Sequence, residues 1–285
     1  MSITGKTHQL GIIGDPVGHS FSPQMHNFIS DYMGLDYSYS AFHVTPENLG
    51  DAIRGMRALD IKGINVTAPH KIEVMQYLDE ISPQAKLLGS VNTVVNRDGR
   101  LCGYNTDGDG FCMSLTKAGI DISDKRILVL GCGGVSEPTI ISFVQFRPQS
   151  ITLLNRTKTK AAVLAEDVLN KTGFKVETEA NVLEFDIVIN TTSAGMGAQK
   201  NSLPTDFIHE IENLDFINEN TAVVDMIYNP EETKFLGAAR ERGAKTLNGL
   251  GMLIYQGIIA YELFTGIKLP ENMGDLIKKE VFNKT

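Results

Sequence analysis

Apolar positions along the chain fall into short runs of strand formers and longer stretches of helical spacing. Residues 9–13 are a first apolar run, ending at Gly14-Asp15-Pro16. Residues 37–43 alternate with period two, as a half-buried strand does. Residues 46–59 carry Leu49, Ile53 and Met56 on one helical face. Strands are expected at 61–66, 90–95 and 101–104, the last two joined by a turn at 96–99. Phe111, Leu115 and Ala118 then repeat at helical spacing. Further on, the pattern predicts strands at 127–130, 151–154, 174–178, 185–189, 222–225 and 244–247. Helices are expected around 140–144, at 161–171 and at 233–242, and a polar loop with an exposed helix over 199–219. Residues 252–264 form a nearly continuous apolar helix, and 271–281 a more polar one. Strands alternating with helices predict an α/β fold.

One stretch carries a chemical signal within this pattern. Strand 127–130 is followed by Gly131, Gly133 and Gly134, then a helix, then strand 151–154. That is the βαβ unit of a dinucleotide-binding fold. Glycines let backbone N–H groups approach a pyrophosphate, and the helix N-terminus favours negative charge. The spacing is G-x-G-G, and Ser136 stands where a third glycine would be. Units that take NAD place an acid at the end of the second strand to hold the ribose hydroxyls. Here that place reads Asn155-Arg156-Thr157, and Lys158 and Lys160 follow. Cations in place of an acid suit a 2′-phosphate, so the expected cofactor is NADP. Small polar residues at 190–196, Thr191 among them, are expected on the nicotinamide side.

The first half offers polar groups at strand ends, where open α/β sheets place ligands. Ser20 and Ser22 are separated by one residue at a strand-to-helix junction. Ser22 before Pro23 reads as an N-cap, which leaves Ser20 unexplained. Lys71 follows Asn65-Val66-Thr67 after a strand and opens a helix unless it has a partner. The loop 105–110 holds Asp107 and Asp109, read either as helix caps or as ligand groups; no 12-residue calcium loop follows. Gln256 is a lone amide in an apolar helix and needs hydrogen-bond partners.

Composition narrows the classes. The 285 residues suffice for two domains or one large one, and 42% are hydrophobic, enough for a full core. A net charge of -8 argues against a nucleic-acid surface. The three cysteines lack metal-ligand spacing, so no metal is expected and a reducing compartment is. No signal-peptide pattern and no apolar run of about 18 residues is seen, so the reading is cytoplasmic and not membrane-bound.

Taken together, the stretches G-H-S-F-S-P at 18–23, N-V-T-A-P-H-K at 65–71, S-V-N-T at 90–93, G-Y-N-T-D-G at 103–108, G-C-G-G at 131–134, N-R-T at 155–157, N-T-T-S-A-G-M at 190–196, D-M-I-Y-N-P at 225–230 and G-L-G-M-L-I-Y-Q at 249–256 resemble the shikimate dehydrogenases and the related quinate/shikimate dehydrogenases. The resemblance implies an N-terminal α/β substrate domain (1–107), a Rossmann-type NADP-binding domain (108–247) and C-terminal helices (248–285) returning to the first. It implies that Lys71 and Asp107 are the catalytic pair and that Ser20, Ser22, Thr67, Asn92, Tyr228 and Gln256 hold the substrate. Met226 and Gly249 join Gly131, Gly133, Gly134, Asn155, Arg156, Thr157, Lys160 and Thr191 toward the cofactor. The implied reaction is reduction of 3-dehydroshikimate to shikimate, in aromatic amino-acid and chorismate biosynthesis, by a monomer or homodimer. Two alternatives are a quinate/shikimate enzyme of broader range and a nucleotide-sensing regulator without turnover. The phosphate loop departs from the family at Glu137-Pro138, where an acid stands near the expected diphosphate.

Overall fold

The computed structural model describes residues 3–180, 184–208, 211 and 213–282. The chain divides into two compact units, Met1–Gly110 with Ile254–Thr285, and Phe111–Leu253. It passes from the first to the second within one helix and returns within another.

The first unit contains β1 (His8–Gly14), α1 (Ser22–Met33), β2 (Tyr37–His43), α2 (Leu49–Ala58), β3 (Gly63–Val66), β4 (Glu80–Ile81), α3 (Pro83–Leu88), β5 (Thr93–Arg97), β6 (Arg100–Tyr104) and the start of α4 (Asp107–Lys117). Its six strands lie in the order β2-β1-β3-β5-β6-β4. β1 pairs parallel with β2 and β3, whereas β5 runs antiparallel to both β3 and β6. This register brings the carboxyl ends of β1, β3 and β6 and the start of β5 to one edge of the sheet. The loops after Gly14, Val66 and Tyr104, and Asn92 just before β5, therefore share that edge. Asp98 and Gly99 both have positive φ, as a two-residue hairpin turn between β5 and β6 requires. At the ligand edge, a Cβ on Gly14 would overlap Thr67, so glycine there lets β1 and the loop after β3 close together.

The second unit holds β7 (Arg126–Leu130), α5 (Ser136–Val144), β8 (Ser150–Leu154), α6 (Lys158–Thr172), β9 (Ile187–Asn190), β10 (Ala222–Asp225), α7 (Lys234–Glu241) and β11 (Lys245–Leu247). The strand order is β11-β10-β9-β7-β8, with every pairing parallel. The chain reverses direction across the sheet between β8 and β9, and the carboxyl ends of β7 and β9 flank that switch point, where such sheets bind ligands. The apolar helix α8 (Leu250–Thr265) then leads into α9 (Met273–Ile277), which ends in a π turn at Lys278–Phe282.

Two expectations need correction. The strand expected at 174–178 is a single bridge, Glu177 to Thr152, beside β8. Val176 is the one buried side chain of that stretch, too small an apolar face to hold an edge ladder. The segment 199–219 has no α-helix among its described residues, and much of it is not exposed. It makes 3-10 turns at Gly197–Gln199 and Pro204–Phe207, and Ile208, Ile211, Leu214, Phe216 and Ile217 are buried against the sheet core. Ile211 N–H donates to the Ile208 carbonyl and Ile217 N–H to the Leu214 carbonyl, so isolated turns rather than an α-helix carry these side chains among the described residues. Residues 209, 210 and 212 lie outside the described residues.

Candidate active site

At the ligand edge of the first sheet, Lys71 Nζ donates to Asp107 Oδ2 at 2.7 Å. Lys71 comes from the loop after β3, whose backbone is held where Val91 N–H donates to the Lys71 carbonyl (2.8 Å). Asp107 opens α4, and its N–H is taken by the Asn105 side chain (3.0 Å). Its carboxylate therefore does not cap the helix. It accepts from Lys71 on one oxygen and from Asn92 Nδ2 (2.9 Å) on the other. Asp109 likewise does not serve as a cap here, since its carboxylate accepts from Gln84 (3.0 Å).

Asn92 is the last link of a polar chain that the residue pattern did not reveal. Tyr39 O–H donates to Asn65 Oδ1 (2.8 Å), Asn65 Nδ2 to Thr93 Oγ1 (3.1 Å), and Thr93 O–H to Asn92 Oδ1 (2.9 Å). Each group donates in the same sense, so the chain is polarised onto the Asp107 carboxylate, which suits a negative charge. Burial pushes the Tyr39 phenol well above its usual range and keeps it a neutral donor. A signal for Asn65 was present: an amide in a fully buried strand requires partners.

Ser22 is the first residue of α1 rather than its cap, and Ser20 Oγ accepts the Ser22 N–H (3.2 Å). The N-cap position expected of Ser22 is held by Phe21, which makes no side-chain cap bond, and the Ser20 hydroxyl takes up the first helical N–H instead. Thr67 packs its methyl against the bare face of Gly14 at the same edge. Gln256 is brought to α4 because a Cβ on Gly110 would overlap the Gln256 backbone. Gly110 lies three residues past Asp107, almost one helical turn.

In the second unit, β7 ends at Gly131, whose φ of +107 excludes other residues without strain. A side chain there would also meet Thr191 and Thr192 after β9. Thr191 bonds the Leu130 carbonyl (2.8 Å) and Ser136 Oγ (2.8 Å), which ties the switch-point loops together. Ser136 thus fills a structural role in the place of the third glycine. Gly133 and Gly134 are exposed, with no close neighbour within 3.4 Å of a notional Cβ. They border a cavity of about 470 Å³ with Cys132, Glu137, Lys160 and Asp167. Thr157 is the N-cap of α6 without a side-chain cap bond, and no acid lies in the first turn. That helix start, with Arg156 and Lys160 exposed beside it, fits a phosphate-bearing group. Asn155 Nδ2 donates to the Thr157 carbonyl (3.0 Å) and shapes the turn. Arg156 lies over the Phe207 ring, 6.0 Å from its centroid. Phe207 sits in the segment read as polar, which hid it. Past β10, the Met226 carbonyl abuts Gly249, where a Cβ would overlap it. Tyr228 also belongs to this unit and is 37% exposed. The fold and the open glycine loop fit a nicotinamide dinucleotide.

A doubly wound unit with an open glycine loop, joined to a unit that presents a lysine–aspartate pair, fits the class of nicotinamide-dependent dehydrogenases. Within that class the chain belongs to the shikimate dehydrogenase family. Residues 12–94 match the shikimate dehydrogenase substrate binding domain, 114–229 shikimate / quinate 5-dehydrogenase, and 249–272 the shikimate 5'-dehydrogenase C-terminal domain. The shikimate dehydrogenase (NADP(+)) of Bacillus mycoides (strain KBAB4) is 44% identical over 277 residues, 95% of this chain and 98% of that protein. A shikimate dehydrogenase solved in complex with NADP+ is 41% identical, covers 98% of each chain and superposes with a TM-score of 0.87. Shikimate 5-dehydrogenase from Listeria monocytogenes, solved with shikimate and NAD, is 36% identical, covers 99% of each chain and has a TM-score of 0.87.

Among the described residues there is no cluster of three or more groups able to hold a metal. No helix among them is long and apolar enough to cross a membrane.

Proposed function

We propose that this protein catalyses the reversible, NADP-dependent reduction of 3-dehydroshikimate to shikimate. The observation that carries the reading is the Lys71–Asp107 pair at 2.7 Å, fixed by Asn92 at the ligand edge of the first sheet. The first unit is the substrate domain and the second the cofactor domain.

Ser20, Ser22, Thr67, Asn92 and Gln256 supply neutral hydroxyl and amide groups, which suit a cyclohexene carboxylate and its ring hydroxyls; the family resemblance adds the Tyr228 phenol to this set. When bound, the reduced nicotinamide supplies a hydride to the ring ketone carbon. Lys71 donates a proton to the ketone oxygen as negative charge develops there, and Asp107 holds the ammonium in place. In the reverse direction Lys71 takes the proton back. Gly131, Gly133 and Gly134 leave room for the diphosphate, and Thr191, Met226 and Gly249 shape the nicotinamide side. Arg156, Lys160, Asn155 and Thr157 hold the 2′-phosphate. Mixing purified protein with shikimate or quinate, and with NADP or NAD, and following reduced nicotinamide tests this. The expected result is turnover of shikimate with NADP above the other three combinations. Faster turnover of quinate would replace this reading with the broader quinate/shikimate activity. Cofactor binding without turnover of either acid would point to a regulator.

A further inference from the structure

We infer that Lys171 is a positioning residue for cofactor binding: it holds the Glu137 carboxylate away from the diphosphate site. The inference rests on the assignment of the glycine loop to that diphosphate. Glu137 is the second residue of α5, directly after the glycine loop, and it lines the same cavity as Gly133, Gly134 and Lys160. A carboxylate there acts against an anionic ligand in two ways. Its charge repels the diphosphate. It is also well placed to fold back and accept from the same first-turn N–H groups that the ligand needs. α5 has no side-chain cap. The Ser136 hydroxyl is engaged by Thr191, and Pro138 carries no N–H. Donors at this helix start are few, and a freed Glu137 would compete for them.

The geometry shows what prevents this. Lys171, in the last turn of α6, reaches across to Glu137, with Nζ 2.6 Å from Oε1. The two side chains are only 34% and 29% exposed, so the pair is sheltered more than an open surface bridge. Lys171 complements the carboxyl end of α6 and neutralises the acid on α5 at once. Lys160, at the opposite end of α6, stays available to the ligand. Lys160 and Lys171, at opposite ends of one helix, thus have separate tasks, and of these two only Lys160 touches the cofactor.

The test is direct binding of NADPH and NADH, titrated by nicotinamide fluorescence without substrate, to wild type and to Lys171→Met, Glu137→Gln and the double variant. Lys171→Met is expected to weaken both cofactors by the same factor, about three- to tenfold, the size of one like charge near a surface site. The loss should shrink in ~1 M salt, where screening is short-ranged. Glu137→Gln should bind at least as tightly as wild type, and the double variant should recover wild-type affinity. Recovery excludes a folding defect as the cause of the loss. Unchanged binding by Lys171→Met overturns the inference, as does a loss that the double variant keeps. A loss for NADPH alone also overturns it, because Lys171 would then contact the 2′-phosphate itself. Wild-type protein that bound neither cofactor would remove the glycine-loop assignment, and this inference with it.

Discussion

Lys71 and Asp107 are 36 residues apart and meet only because β3 and β6 point the same way with β5 between them. No spacing rule links them, so from residue types alone each reads as a surface lysine or a helix cap. Only the family resemblance paired them before the structure did. Lys71→Ala is expected to lower kcat by about 10²–10⁴-fold with a much smaller change in KM, because its proton transfer matters in the transition state. Asp107→Asn should also lose activity, and the double variant should lose less than the product of the two. Steady-state kinetics on the three variants decides this; a wild-type kcat with only KM raised would remove Lys71 from the chemistry. Glu137 was seen in the sequence as an unwelcome charge. Its neutralisation was not legible, because Lys171 lies 34 residues away on another helix.

At the scale of elements, the apolar runs located most of the strands and helices to within a few residues. They failed where an element has little apolar face of its own, as at 174–178, or where buried side chains sit in non-repeating backbone, as at 199–219. They were also silent on what fastens the loops. The carboxyl end of β10 shows this. Asp225 is fully buried and accepts from Asn190 Nδ2 (3.0 Å), Ile227 N–H (3.1 Å) and Thr233 O–H (2.7 Å). It thereby joins the ends of β9 and β10 to the N-cap of α7. Burial outweighs these donors and pushes its carboxyl up from 3.8 to about 6. A carboxyl with a raised folded pKa adds stability below its unfolded value and loses it as pH rises through the folded one. Between about pH 4 and pH 6, wild type should therefore lose on the order of 2–3 kcal/mol relative to Asp225→Asn, and no more above. Urea denaturation of both proteins at several pH values measures the difference. A constant difference across that window would mean the carboxyl is ionised throughout.

For the molecule as a whole, the two units imply that ligand losses separate. Gln256→Ala should weaken shikimate by about 1–3 kcal/mol and leave NADP nearly unchanged. Arg156→Ala should weaken NADP and leave both NAD and shikimate nearly unchanged. Titrating the three ligands against both variants checks this, and equal losses for substrate and cofactor in either variant would contradict it. The net charge of -8 does not oppose two anionic ligands if each site is built from local donors and cations. The first unit is also discontinuous: Ile254–Thr285 completes what Met1–Gly110 begins. Glycines at 63, 110 and 257 are shaped to receive α8 and its neighbours, with Phe264 over Gly63 and Met25 against Gly257. During synthesis the amino-terminal segment emerges first and then waits while Phe111–Leu253 is made, roughly 7 to 30 s at ordinary elongation rates. A unit begun before its neighbour is therefore finished after it, and its face for α8 stays uncovered until Ile254–Thr285 has been made.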